Sequence, residues 1–132
     1  MMIDYSNEIF NAVAIDLRSA YEGIKVVGEY VASPSLFPTV TIDEISNVPT
    51  HLDSSVHHKY AEVQYRVQIF CNGPGKRAKA REIYGTVAQR LRFLGLVAVT
   101  FTTTPTIYNS EIYCITVTFR GVIGRDGVIY RG

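Results

Sequence analysis

The segment Ala61-Glu62-Val63-Gln64-Tyr65-Arg66-Val67-Gln68-Ile69-Phe70-Cys71 limits what this chain can fold into more than any other. Ala61, Val63, Tyr65, Val67, Ile69 and Cys71 alternate with Glu62, Gln64, Arg66 and Gln68. That period of two belongs to a strand with one face in a core and the other toward water. A helix would scatter the same apolar residues around its circumference. A sheet therefore carries the fold, and Asn72-Gly73-Pro74-Gly75 ends this strand with turn chemistry.

The rest of the chain supplies partners. Ile9, Val13, Leu17 and Tyr21 recur every four residues, with Phe10 and Ala14 beside them. This predicts an amphipathic helix over about residues 5–21, with Asp4 as N-cap and Gly23 near its end. A β-branched and aromatic segment at about 24–31 precedes Pro34 and Pro38, and a strand follows at about 39–45, where Val40 and Ile42 alternate with polar residues. Residues 46–59 have no periodicity, and a stretch of that length in a compact domain is usually a binding loop or disordered. A second helix is predicted over about 76–94 from Ala80, Ile83 or Tyr84, Val87, Leu91 and Leu94, with Gly95 as its C′ residue. Two strands follow at about 96–103 and 111–122, and Asp126-Gly127 turns the chain into a short last one at about 128–130. In the strand at 111–122, Tyr113, Ile115, Val117 and Phe119 share one face, while Ile112 and Cys114 lie on the other, which implies partial cover on both sides.

The order is thus α-β-β-β-α-β-β with a short final strand. Three successive strands disfavour a doubly wound sheet, in which strands and helices alternate. The reading is an α+β fold, a single layer of mixed, largely antiparallel β-sheet with two α-helices packed on it. At 132 residues the chain makes one domain, 1–132, able to bury a core without metal or disulfide.

Composition excludes more than it assigns. Thirteen Lys and Arg against twelve Asp and Glu leave a net charge of +1, so neither a basic nucleic-acid coat nor an acidic disordered tail is expected. Charged residues are 19% of the chain, below the ~25% usual for soluble domains, and mean hydropathy is +0.10. Such a surface suits contact with other protein surfaces. No apolar run is long enough to span a membrane, and no signal peptide is expected, because Met1-Met2-Ile3-Asp4-Tyr5 lacks a cationic segment followed by an apolar run. Cys71 and Cys114 lack a CxxC partner and read as buried thiols of a chain folded in a cytoplasm, with a disulfide between neighbouring strands as the alternative.

No constellation of residues points to catalysis. Gly73-Pro74-Gly75-Lys76 resembles part of a Walker A loop, but Phe70 occupies the first glycine position and Arg77 the Ser/Thr position. A strand-to-helix turn is the better account. His51, Asp53, His57 and His58 have ligand chemistry, yet adjacent histidines cannot easily converge on one ion, so a solvated loop is expected. Ser54 and Ser55 near His57 lack a preorganised geometry, and Asp43 and Glu44 point to opposite faces of a strand. No catalytic residue, cofactor or metal is predicted. The basic run Lys76, Arg77, Lys79 and Arg81 at a helix start opposes the helix dipole. It reads as a solvated face, or as a surface for an anionic partner, protein or nucleic acid. Some of the nine tyrosines also suit interfaces.

Several segments in order carry a family resemblance: the N-terminal amphipathic helix, Phe37-Pro38-Thr39-Val40-Thr41-Ile42-Asp43-Glu44-Ile45-Ser46-Asn47, then Glu62-Val63-Gln64-Tyr65-Arg66-Val67-Gln68-Ile69-Phe70. A basic helix ending in Leu91-Arg92-Phe93-Leu94-Gly95-Leu96 and a late Tyr113-Cys114-Ile115-Thr116-Val117-Thr118-Phe119-Arg120-Gly121-Val122-Ile123-Gly124 strand complete it. The whole resembles the tail terminator, or tail completion, proteins of tailed bacteriophages and prophages. The resemblance implies an α+β subunit of the virion tail or neck that forms a ring, typically a hexamer, on the tail tube. Such a ring stops tube polymerisation, presents a surface to the head completion or connector protein, and lets DNA pass without sequence-specific contact. It implies no membrane association and no catalytic residue. Leu52, Asp53, His57 and His58 in the loop, and Lys76, Arg77, Lys79 and Arg81 at the helix start, become the candidate interface residues. The alternatives are a head–tail connector or adaptor of the neck and, from another class, a nucleic-acid-binding α+β module.

Overall fold

The computed structural model of the chain describes residues 6–28, 37–50, 60–105, 112–124 and 129–130. Two helices, α1 (Ser6–Ala20) and α2 (Lys76–Phe93), and six strands appear in the predicted order: β1 (Lys25–Val27), β2 (Thr39–Thr50), β3 (Tyr60–Asn72), β4 (Val97–Pro105), β5 (Ile112–Gly124) and β6 (Ile129–Tyr130). The strands form one sheet of order β1-β2-β3-β5-β4, antiparallel except for the β1–β2 pair. β6 pairs Val122 and Ile123 of β5 on the side not taken by β3, so it lies in line with β4. The expected α+β architecture is present, as one open sheet with two helices.

The alternation of β3 decides which face is covered. Tyr65 lies opposite Phe119, Val67 opposite Val117 and Ile69 opposite Ile115, and all six side chains are buried. Both helices pack on that face. α1 contributes Ile9, Val13, Ala14 and Leu17, and α2 contributes Ala80, Ile83, Val87, Ala88 and Leu91. Their spacing follows the helical period, and each Ile, Val or Leu side chain among them removed from water stabilises the fold by about 1.5–3 kcal/mol.

A Schellman motif ends α2. The Leu96 N–H donates to the Leu91 carbonyl at 2.9 Å and the Gly95 N–H to the Arg92 carbonyl at 3.0 Å. Gly95 has φ 97°, a left-handed conformation that favours glycine, and it turns the chain straight into β4. Leu91 and Leu96, at the two ends of that motif, are both fully buried.

One sequence expectation is corrected. Residues 46–50, expected to open an irregular loop, continue β2 and pair with β3 as far as Thr50 opposite Tyr60. Periodicity fails there because the register shifts between Glu44 and Ser46, so the alternation read from Val40 and Ile42 changes phase. Asp4, the expected N-cap, lies outside the described residues.

Ile69→Ala should lower stability by about 2–5 kcal/mol in urea denaturation, because the fully buried side chain leaves a cavity. Val48→Ala, at a site 55% exposed on the same sheet, should change it by less than about 1 kcal/mol.

Candidate assembly surfaces

The loop residues Leu52, Asp53, His57 and His58 lie outside the described residues, as does His51. Among the described residues no group of three or more His, Cys, Asp or Glu side chains is placed to hold a metal ion.

The start of α2 grows from the Asn72–Lys76 turn. Gly73 and Gly75 have φ of 78° and 74°, so both serve backbone geometry. Gly75 is the N-cap and supplies no capping side chain; the Lys79 N–H bonds the Gly75 carbonyl at 2.9 Å. The strand-to-helix turn expected from the failed Walker pattern is what the structure contains.

The four cations beyond that turn do not form one stripe. Successive helical positions are about 100° apart, which places Lys76 and Lys79 on one side of α2 and Arg77 and Arg81 on another. Lys79 Nζ sits 5.5 Å from the Tyr21 ring centre, toward α1. The Arg81 guanidinium sits 5.7 Å from the Phe101 ring centre, toward β4. Phe101 also meets Tyr84 edge-on, with centroids 5.0 Å apart and planes at 70°. These two cations cover aromatic rings at the two flanks of the helix, which spreads their charge instead of concentrating it. Lys76 and Lys79 border a hollow of about 270 Å³ with Cys71, Asn72 and Pro74.

The two helices are held to each other by polar contacts at the rim of their apolar seam. Arg90 Nε and Nη2 donate to the two Asp16 oxygens at 2.6 and 2.9 Å, and the Tyr21 and Thr86 hydroxyls are 3.2 Å apart. The hydrogen bonds from Arg90 hold the Asp16 carboxyl below its ordinary 3.8, against the opposing effect of burial.

The sheet face away from the helices is polar in its middle. Arg66 Nη2 donates to Asp43 Oδ2 at 3.0 Å, and Arg120 donates to both Glu62 oxygens at 2.8 and 3.2 Å. Those bonds lower the Glu62 pKa. Toward one end the face is covered: Thr39, Thr41, Phe70 and Cys114 are buried. This agrees with the two-sided cover expected for β5. Glu44, by contrast, points to the helix side and accepts the buried Tyr65 hydroxyl at 2.7 Å. Asp43 and Glu44 thus lie on opposite faces, as their adjacency on a strand requires.

Cys71 and Cys114 also point to opposite faces: Cys71 lies opposite Tyr113 and Cys114 opposite Phe70 in the β3–β5 ladder. A disulfide across that ladder is geometrically excluded, and both cysteines are free and buried. Burial pushes the Cys71 thiol up to about 11 and raises that of Cys114 as well.

The sheet edges hold surface residues that sequence reasoning did not single out. Ile45, Val48, Val97, Val99 and Phe101 are 39–55% exposed, and Phe93, at the end of α2 before β4, is 76% exposed. β4 shifts register between Ala98 and Thr100, so Val99 has no opposite partner on β5. Ile45 holds the same position in β2, between Glu44 and Ser46. In both strands the extra residue adjoins the row that contains Tyr65 and Phe119. The shift in β4 also divides its apolar residues between faces. Val97, paired with Arg120, lies on the polar face, and Phe101, paired with Val117, on the helix side. The absence of any charge from Val-Ala-Val-Thr-Phe-Thr-Thr-Thr-Pro was the available signal.

No protein-family model and no curated protein matches the chain. A structural counterpart does exist. It is a chain from a solved structure described as the virion of a native gene transfer agent (GTA) particle, with a TM-score of 0.60 over 87% of this chain and 88% of that one. Sequence identity is 13%, so the likeness is one of fold. Among the described residues no helix is long and apolar enough to cross a membrane.

Two measurements check the local chemistry. A thiol reagent at neutral pH should modify Cys71 and Cys114 in the native chain far more slowly than after unfolding, with no disulfide in either state. Asp16→Asn should lower the Tm at neutral pH, where the carboxylate is ionised. The lowered pKa stabilises the fold above the ordinary value of 3.8, and this contribution is lost as the pH falls through the folded value, so wild type and variant should converge in acid.

Proposed function

We propose that this chain is a structural virion protein of a phage-like particle, acting as a tail terminator and not as an enzyme. The observation that carries this reading is a fold shared over 87% of the chain, and 88% of its counterpart, with a component of a gene transfer agent virion. The resemblance of the ordered sequence segments to tail terminators points the same way. In this reading copies of the chain close into a ring, a hexamer, at the end of the tail tube. One side of the ring blocks further tube subunits and the other receives the head completion or connector protein. DNA passes through the bore by way of non-specific contacts. Its work is done by surfaces, which agrees with a chain low in charge and with exposed apolar sheet edges.

Deleting the gene from a particle-producing strain and imaging the products by electron microscopy tests the proposal. Overlong tail tubes without heads are expected. Tails of normal length that fail to join filled heads would instead assign the chain to the neck as a connector. Intact particles would remove the virion reading.

A further inference from the structure

We propose that copies of this chain join head to tail through opposite edges of their sheets, the β4 edge of one copy packing against the β2 edge of the next. The inference deepens the ring reading above by naming the surfaces that meet. Among the described residues, seven large apolar side chains are exposed: Ile15, Ile45, Val48, Phe93, Val97, Val99 and Phe101. Ile45 and Val48 lie on β2, while Val97, Val99 and Phe101 lie on β4.

Charge follows the opposite distribution. Arg66, Asp43, Glu62 and Arg120 are paired on the face of the sheet, but residues 45–50 of β2 and all of β4 carry none. A sheet that stays monomeric usually protects its edges with charge, proline, bulges or short strands. Residues 45–50 of β2 and all of β4 have a bulge each and a proline only near the strand end, Pro49 and Pro105, and no charge. β1 obeys that rule, with three residues and Lys25 among them. It pairs only with Thr39, Val40 and Thr41, and among the described residues no strand pairs with the rest of that side of β2. β4 runs for nine residues at the other edge with no strand beyond it among the described residues.

The two patches also match in level. Glu44, Tyr65, Phe119 and Ala98 form one row across the sheet, and the unpaired Ile45 and Val99 adjoin it on opposite sides. A neighbour displaced along that row brings the part of β2 that β1 leaves open to the start of β4, with the two strands antiparallel, while Thr102–Thr104 lie at the level of Thr39–Thr41, which β1 covers. A single partner, a second copy, thereby covers both patches at once. Because the patches differ, the contact is heterologous and can close into a ring. Packing of β4 on its own copy would close as a two-fold dimer and leave the β2 patch exposed.

The test uses the purified full chain. Sedimentation velocity over a concentration series should show wild type associating, and Val99→Asp or Ile45→Asp should each weaken association at least about tenfold by placing an unpaired carboxylate in the contact. Ser19→Asp, on the exposed face of α1, should associate like wild type. Under mild oxidation, Val99→Cys mixed with Ile45→Cys should give a mixed disulfide dimer, while neither variant alone should crosslink. The native Cys71 and Cys114 are buried and do not compete. Circular dichroism confirms that each variant is folded.

A wild type that stays monomeric at every concentration, or folded Asp variants that associate like wild type, would overturn the proposal. So would crosslinking of Val99→Cys with itself alone. If virions require the chain but tolerate both Asp variants, this interface fails and the virion reading stands. If the mixed disulfide forms while gene deletion leaves particles intact, the interface stands and the virion reading fails.

Discussion

The antiparallel ladder between β3 and β5 is the constraint on which the other elements depend. It runs from Tyr60 opposite Gly124 to Asn72 opposite Ile112 without a register shift. With no irregularity, alternation is preserved along both strands, and the buried side chains from Val63 and Tyr65 to Ile115 and Phe119 all reach the same side. A shift of one residue would turn that entire set toward the opposite face. The helices need a continuous apolar floor, and only this ladder supplies one.

The outer strands behave differently. β2 and β4 each shift register once, beside the row of Tyr65 and Phe119, and each exposes a β-branched apolar residue at the shift. Regular centre and irregular edges divide the labour of the fold. The centre holds the core, while the edges present uncharged apolar surface. Low overall charge is therefore not a uniform dilution. The ion pairs of Arg66 with Asp43 and Arg120 with Glu62 occupy the polar face, Arg90 with Asp16 joins the helices, and residues 45–50 of β2 and all of β4 carry no charge. That distribution fits the assembly role proposed above.

The basic start of α2 illustrates how a linear motif loses its meaning in three dimensions. Lys76, Arg77, Lys79 and Arg81 read as one cluster along the chain. On the helix they divide between two sides, and Lys79 and Arg81 lie over Tyr21 and Phe101 on opposite flanks. The compact cationic stripe that a nucleic-acid-binding module would use is not formed by these residues.

The sequence alone determined the order of elements, the two amphipathic helices, the half-buried character of β3 and the α+β class. Each rests on a local period or a turn residue, such as the alternation at 61–71 or the C′ glycine at position 95. It also placed Asp43 and Glu44 on opposite faces, because adjacency on a strand leaves no other arrangement. Tertiary structure alone decided that residues 46–50 extend β2, that Val97 and Phe101 face opposite ways, and that Cys71 and Cys114 cannot meet. Those outcomes depend on register between strands distant in the chain. A single extra residue at Ile45 or Val99 reverses the face of all that follow, and no local pattern records where that residue will be inserted.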